Sequence, residues 1–211
     1  FGPLRFIGQL EVEYADGTTQ TFASDESWKY SKKTPYTFCS WYGGEDYDAN
    51  VATQESLQKD VDSWHNAVLC TETIGKLKAQ YYQPTDVVET WHPVSVKAIN
   101  DSEYLLDFGQ NFAGQYEFTL KGKKGQTIQM WPAELLNAQG SIDQYQTGTP
   151  VYDQYTFSGE ADGETWGPTL VYHGFRYLLV KGLDKAPTTD QFTAKRIRLG
   201  VEQTGHFCCS N

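Results

Sequence analysis

Basic residues are scarce in this 211-residue chain: 17 Lys and Arg stand against 27 Asp and Glu, a formal net charge of −10. That balance repels polyanions, which argues against nucleic acid and against an anionic membrane surface as partners. No apolar run approaches the ~20 residues of a membrane-spanning helix. Cysteine is sparse too, with Cys39, Cys70, Cys208 and Cys209 forming no C-x-x-C pair and no zinc-like spacing. Four thiols is the plain reading, with a Cys39–Cys70 bridge left open. The histidines, His65, His92, His173 and His206, lie singly, without a second ligand at metal spacing. His173, beside a glycine at a strand entrance, suits a hydrogen-bonding corner better than a base. Methionine occurs once, at Met130, and the chain opens on Phe1. At ~150 residues per domain its length corresponds to about one and a half domains, so it reads as a piece of a longer polypeptide.

What is abundant is aromatic: 6 Trp, 14 Tyr and 11 Phe, or 15% of the chain. Flat rings stack on sugar faces, and acidic aromatic β-domains are frequent among proteins that handle polysaccharides. Sandwich cores and cross-strand pairs also consume aromatics, and that is the weightier account of the total. Trp41, Tyr42, Trp131 and Trp166 are the candidates for a sugar platform.

The apolar period is two almost throughout. Residues 6–14 alternate, Asp16-Gly17 supplies a hairpin turn, and 19–22 return. Further strands are expected at 27–31, 76–82, 87–96, 103–108, 114–120, 126–131, 152–158, 174–181 and 192–201. Residues 41–64 are polar and irregular, with room for a helical turn or two at 54–61. Turn signals every 8–12 residues without a long helix predict an all-β chain, an antiparallel sandwich or jelly roll preceded by a partial β-domain. The boundary is expected near 62–70, giving a partial domain at 1–66, a sandwich at 67–205 and a linker at 206–211. The strands of 1–66 are too few for a sandwich of their own. They are expected to fold back, to pair with another copy through exposed edges, or to be poorly ordered.

Three phrases carry more than periodicity: Asp107-Phe108-Gly109-Gln110-Asn111-Phe112-Ala113-Gly114, Ala133-Glu134-Leu135-Leu136, and Tyr172-His173-Gly174-Phe175-Arg176-Tyr177. With Leu10–Gly17, Asp25–Lys29, Gly44–Ala49 and Gly205–Asn211 in order around them, they resemble the bacterial α-L-rhamnosidases of glycoside hydrolase family 78. The resemblance spans essentially the whole chain. It departs at Pro132, where the family often has histidine, and at Asn50, where it often has arginine. It implies a concanavalin-like sandwich at 67–205 and a parent enzyme that removes terminal α-L-rhamnosyl residues with inversion. The family's cleaving carboxylates lie in an (α/α)6 barrel following these β-domains, so no catalytic residue carries over to this chain. The expected function is therefore a non-catalytic scaffold, with a stand-alone carbohydrate-binding module as the alternative. The implied partners are a rhamnose-containing glycan or glycoside and the parent's barrel, and a periplasmic or extracellular parent fits them.

Asp107, Glu134 and Arg176 are the charged members of those phrases. The favoured reading is structural: Arg176 pairs with Glu134, or secondarily with Asp107, because guanidinium matches a carboxylate bidentately. The competing reading makes Asp107 and Glu134 a glycosidase acid/base pair, which needs carboxyls ~5–9.5 Å apart beside a cleft. Gly43–Asp48 reads as an acidic solvated loop. Its crowded oxygens leave calcium open as a ligand, without the spacing of an EF-hand; no other cofactor or metal is expected.

Overall fold

The computed structural model describes residues 4–51, 64–70, 75–147 and 150–210. Its strands begin with β1 (Gln9–Glu13), β2 (Thr19–Ala23), β3 (Lys29–Ser31), β4 (Tyr36–Ser40), β5 (Gly44–Asp48), β6 (Trp64–Asn66) and β7 (Thr85–Trp91). They continue with β8 (Ser95–Ala98), β9 (Glu103–Leu120), β10 (Thr127–Ala133), β11 (Leu135–Leu136), β12 (Ile142–Asp143) and β13 (Asp153–Thr156). The last three are β14 (Glu164–Trp166), β15 (His173–Lys181) and β16 (Phe192–Leu199). Fold class is as the periodicity indicates: all-β, an antiparallel-rich sandwich.

Packing divides the chain into two units, residues 1–34 with 52–79, and residues 35–51 with 80–211. The segment 35–51, expected with the first domain, thus joins the second unit. In the first unit β1 and β2 form the expected hairpin, with Leu10 opposite Phe22, and β3 pairs with β6. None of its described residues is buried, and Phe6, Ile7 and Leu10 are exposed. Residues 76–82, read as a strand, form none; Leu77 and Tyr81 there are exposed, so the alternation has no face to bury. The helical turn expected at 54–61 lies outside the described residues.

The second unit holds a curled ten-stranded sheet, ordered β4-β5-β13-β10-β15-β9-β16-β7, with β8 and β14 also pairing with β9, and the separate pair β11-β12. Every pairing is antiparallel except that of β5 with β13. Strand β9 is its spine. Residues 103–108 and 114–120, expected as separate strands, are one 18-residue strand. Residues 103–107 run beside β15 and β8, 112–114 rejoin β15 beyond a bulge, and 114–120 run beside β16 and β14. Asp107 faces Tyr177 and Phe112 faces Phe175, so four residues of β9 oppose the single Arg176. A bulge of this size bends a strand and raises its twist, which lets one strand serve both walls of a sandwich. Gly109, at φ +83°, supplies the backbone state that the bend requires.

The inward positions of β9 (Leu106, Phe108, Phe112, Tyr116, Phe118) meet Met130 on β10 and Phe175, Leu178 and Val180 on β15. Phe175 is the hub, edge-on to Phe108 at 5.6 Å and to Tyr116 at 6.0 Å. Such aromatic edges add to the area they bury.

Gly44 opens β5 at φ +105°, and a Cβ there would lie 1.9 Å from the Tyr152 carbonyl oxygen. At Gly109 a Cβ would meet only the Val94 side chain, at 3.2 Å. Gly109→Ala should cost mainly the left-handed backbone penalty of about 1–2 kcal/mol, lowering the melting midpoint by about 2–8 °C. Gly44→Ala must displace backbone as well, so calorimetry should find at least twice that drop.

Candidate functional site

The three phrases converge on the β9 bulge. Arg176 donates from Nε to Asp107 Oδ1 and from Nη2 to Asp107 Oδ2, both at 2.8 Å, in a bidentate pair. The Gly109 backbone N–H donates to Asp107 Oδ1 at 2.7 Å, so the carboxylate also fixes the bend. The Arg176 guanidinium lies 4.9 Å from the centroid of the Tyr177 ring. Glu134, the favoured partner from the sequence, is not the one Arg176 takes. Its Oε1 accepts from Asn111 Nδ2 at 2.7 Å, on the same bulge, while Asp107 offers both oxygens to the guanidinium. The hydrogen bond from Arg176 holds the Asp107 carboxyl below the ordinary carboxylate range. A general acid needs the opposite shift, so Asp107 is unsuited to the acid of an acid/base pair.

A second cluster escaped the sequence reading. Gly43–Asp48 is not a solvated loop: most of it is β5, and Glu45 is fully buried. Parallel pairing of Tyr47 with Tyr155 turns Glu45 inward. Its carboxylate accepts from the Leu170 N–H at 2.7 Å and from the Thr169 N–H at 3.2 Å. Its own backbone N–H donates to Oδ1 of fully buried Asp153 at 2.9 Å. Asp153 Oδ2 accepts from the Tyr116 hydroxyl at 2.6 Å and bonds His173 Nε2 at 2.8 Å. A carboxylate can only accept, so Nε2 carries the proton. Burial raises the Glu45 carboxyl above its usual value despite the amides of Leu170 and Thr169. Burial, and then Asp153, raise the Tyr116 hydroxyl far above its own.

With Glu45 turned inward and Asp48 Oδ1 accepting from Asn50, the acidic run does not converge on a point outside the sheet. Among the described residues no three His, Cys, Asp or Glu side chains stand close enough to share an ion. All four cysteines are exposed and in the thiol form.

The four platform candidates part company. Trp166 is 8% exposed and belongs to the core, so it presents no face to a sugar. Trp131 is stacked on Tyr152 at 4.6 Å, and the Lys181 ammonium stands 4.5 Å from its ring centroid, so its faces are occupied. Trp41 and Tyr42 remain open, at 63% and 83% exposure. Trp41, on the β4–β5 turn, meets Tyr172, just before β15, edge-on at 5.4 Å, making an aromatic corner. Tyr172 was missed, although its place in the Tyr-His-Gly-Phe phrase put it at a strand entrance.

An all-β chain whose second unit is an antiparallel-rich sandwich defines a β-domain protein. Residues 2–89 match the α-L-rhamnosidase N-terminal domain, and residues 97–198 the bacterial α-L-rhamnosidase concanavalin-like domain. The chain belongs to the bacterial α-L-rhamnosidase family, and it carries these two β-domains in succession. An α-L-rhamnosidase of Formosa agariphila is 33% identical over 219 aligned residues, covering 100% of this chain and 23% of the relative. The α-L-rhamnosidase structure from Dictyoglumus thermophilum superposes with a TM-score of 0.84 at 33% identity, covering 97% of this chain and 23% of that one. That of Streptomyces avermitilis, solved with L-rhamnose, gives 0.84 at 29% identity over 92% of this chain and 19% of that one. The chain thus spans about a quarter or less of the relatives it matches.

Asp107 is lowered in the folded state, so its contribution to stability is complete above the ordinary carboxylate value and disappears as pH falls through the folded one. Asp107→Asn should lower the melting midpoint by about 2–4 °C near neutrality. The gap from the unsubstituted chain should narrow as pH falls through the folded value of Asp107. A gap constant with pH would show that the carboxylate's charge contributes nothing.

Proposed function

We propose that the chain is a non-catalytic β-domain portion of an α-L-rhamnosidase, a glycoside hydrolase that removes terminal α-L-rhamnosyl residues from glycans or glycosides. Its role is to scaffold the barrel that holds the cleaving carboxylates and to help present substrate to it. The observation that carries this reading is the succession of two rhamnosidase β-domain matches over residues 2–198. The Asp107–Arg176 pair supports it as well, since it commits the best-placed acid to holding the bend. Incubation of the chain with an aryl α-L-rhamnoside should release no aryl alcohol. Release above that of an Asp107→Asn/Glu134→Gln double variant overturns the reading.

The Trp41–Tyr172 corner favours a second reading, a carbohydrate-binding module, because two rings at 81° offer a pyranose one face and one wall. Titration with L-rhamnose, with and without calcium, separates the two. A passive scaffold gives no saturable change in tryptophan fluorescence, whereas a module gives one that Trp41→Ala abolishes. Self-association through the first unit's open strands belongs to the proposal too, and sedimentation velocity at rising concentration checks it.

A further inference from the structure

Strand β5 reaches the sandwich from far away in sequence, and its attachment is chemically unusual. The pairing with β13 covers only three residues, Asp46–Asp48 against Gln154–Thr156. Beside it stand two carboxylates, Glu45 and Asp153, both at 0% exposure. No lysine or arginine among the described residues bonds to either of them. Their hydrogen-bond donors are the amides of Glu45, Thr169 and Leu170, the Tyr116 hydroxyl and the His173 ring. The other titratable groups that face the pair add no positive charge. Cys39 lies on β4, opposite Glu45, and both carboxylates push its thiol up after burial does. Asp46 and Tyr47 flank Glu45 on β5, and burial raises both of them, with Asp153 adding to the first and Tyr36 and Glu45 to the second.

Two buried anions facing one imidazole leave the cluster short of positive charge, and low-permittivity surroundings magnify that shortage. We propose that Glu45, Asp153, His173 and Tyr116 form a proton-dependent clasp that seats the β4–β5 hairpin on the sandwich. The clasp is tightest when Glu45 carries a proton and loosens as that proton leaves. The neutral carboxyl keeps an oxygen for the Leu170 amide and removes one of the two buried charges. Because Glu45 is raised in the folded state, its stabilising contribution is complete below the ordinary glutamate value. It is lost as pH rises through the folded one. Trp41 sits on the turn that the clasp holds and Tyr172 precedes His173, so the seating of their corner follows the same proton.

Amide hydrogen exchange on the full chain tests this, corrected for intrinsic rates between pH 4 and pH 8. The amides to follow are those of Glu45, Ala49, Thr169 and Leu170, with Leu106 on β9 and Val180 on β15 as references. Protection of the first set should fall with rising pH, by about tenfold for each unit that Glu45 stands above its value in the opened form. The references should hold. In Glu45→Gln the fall should vanish. Wild-type protection that is flat with pH, or an unchanged fall in Glu45→Gln, overturns the clasp. A carboxyl carbon titration of Glu45 by NMR in the wild-type chain needs no variant: a midpoint above the ordinary glutamate value supports the clasp, and one at or below it refutes the clasp.

Discussion

Strand β9 has to hydrogen-bond to β15 and β8 at one end and to β16 and β14 at the other. The bulge at 108–111 bends the strand between those two sets of partners, with β15 alongside it on either side. Four residues against one leave backbone groups without ladder partners, and such groups are costly unless something else satisfies them. The Asp107 carboxylate does this locally, taking the Gly109 amide and the Arg176 guanidinium on its two oxygens. The Asp107 carbonyl, in turn, accepts from the Val94 amide, which brings in the approach to β8. Core packing around Phe175 follows from that bend, because Phe108 and Phe112 reach it from either side of Gly109.

The second constraint is that the sheet has been extended by a segment from outside its own stretch of chain. Strand β5 brings a glutamate into the interior, and the interior answers with amides from the 169–170 loop and with Asp153 at the start of β13. A comparable arrangement recurs at Glu164. Burial tends to raise that carboxyl, but the amides of Ser158, Gly159 and Glu160 and the Tyr155 hydroxyl outweigh it and leave it lowered. Glu164 thereby ties down the turn after β13, where Glu45 ties down a strand. Fully satisfied buried carboxylates of this kind specify geometry more than they add stability.

Much of the sandwich was legible in the sequence because its strands announce themselves locally. Gly114–Leu120 alternates strictly, the 121–125 turn is rich in glycine and lysine, and Asp16-Gly17 marks the first hairpin. Long-range pairing was not legible. Glu45-Asp46-Tyr47-Asp48 looks like a wet loop because what buries Glu45, Asp153 and the 169–170 amides, lies 108 to 125 residues away. Residues 76–82 err the other way, alternating as strands do without a neighbour to pair with. The site residues divide on the same line. Composition proposes tryptophans, but only packing distinguishes the buried ring of Trp166 from the open one of Trp41. Arg176 had two carboxylates within its phrases; it takes Asp107, while Glu134 takes the uncharged Asn111.

The parallel partner of β5 has a consequence for how the protein comes into being. The hairpin 35–51 leaves the ribosome before the strand that receives it, Asp153 following Glu45 by 108 positions. At ~5–20 residues per second that interval lasts on the order of 5–20 s. Throughout it, Gly44–Asp48 has β4 on one edge and no partner on the other, and Glu45 is an acid without its cage. Its polar character, which disguises it as a loop to a reader of the sequence, keeps it soluble while it waits.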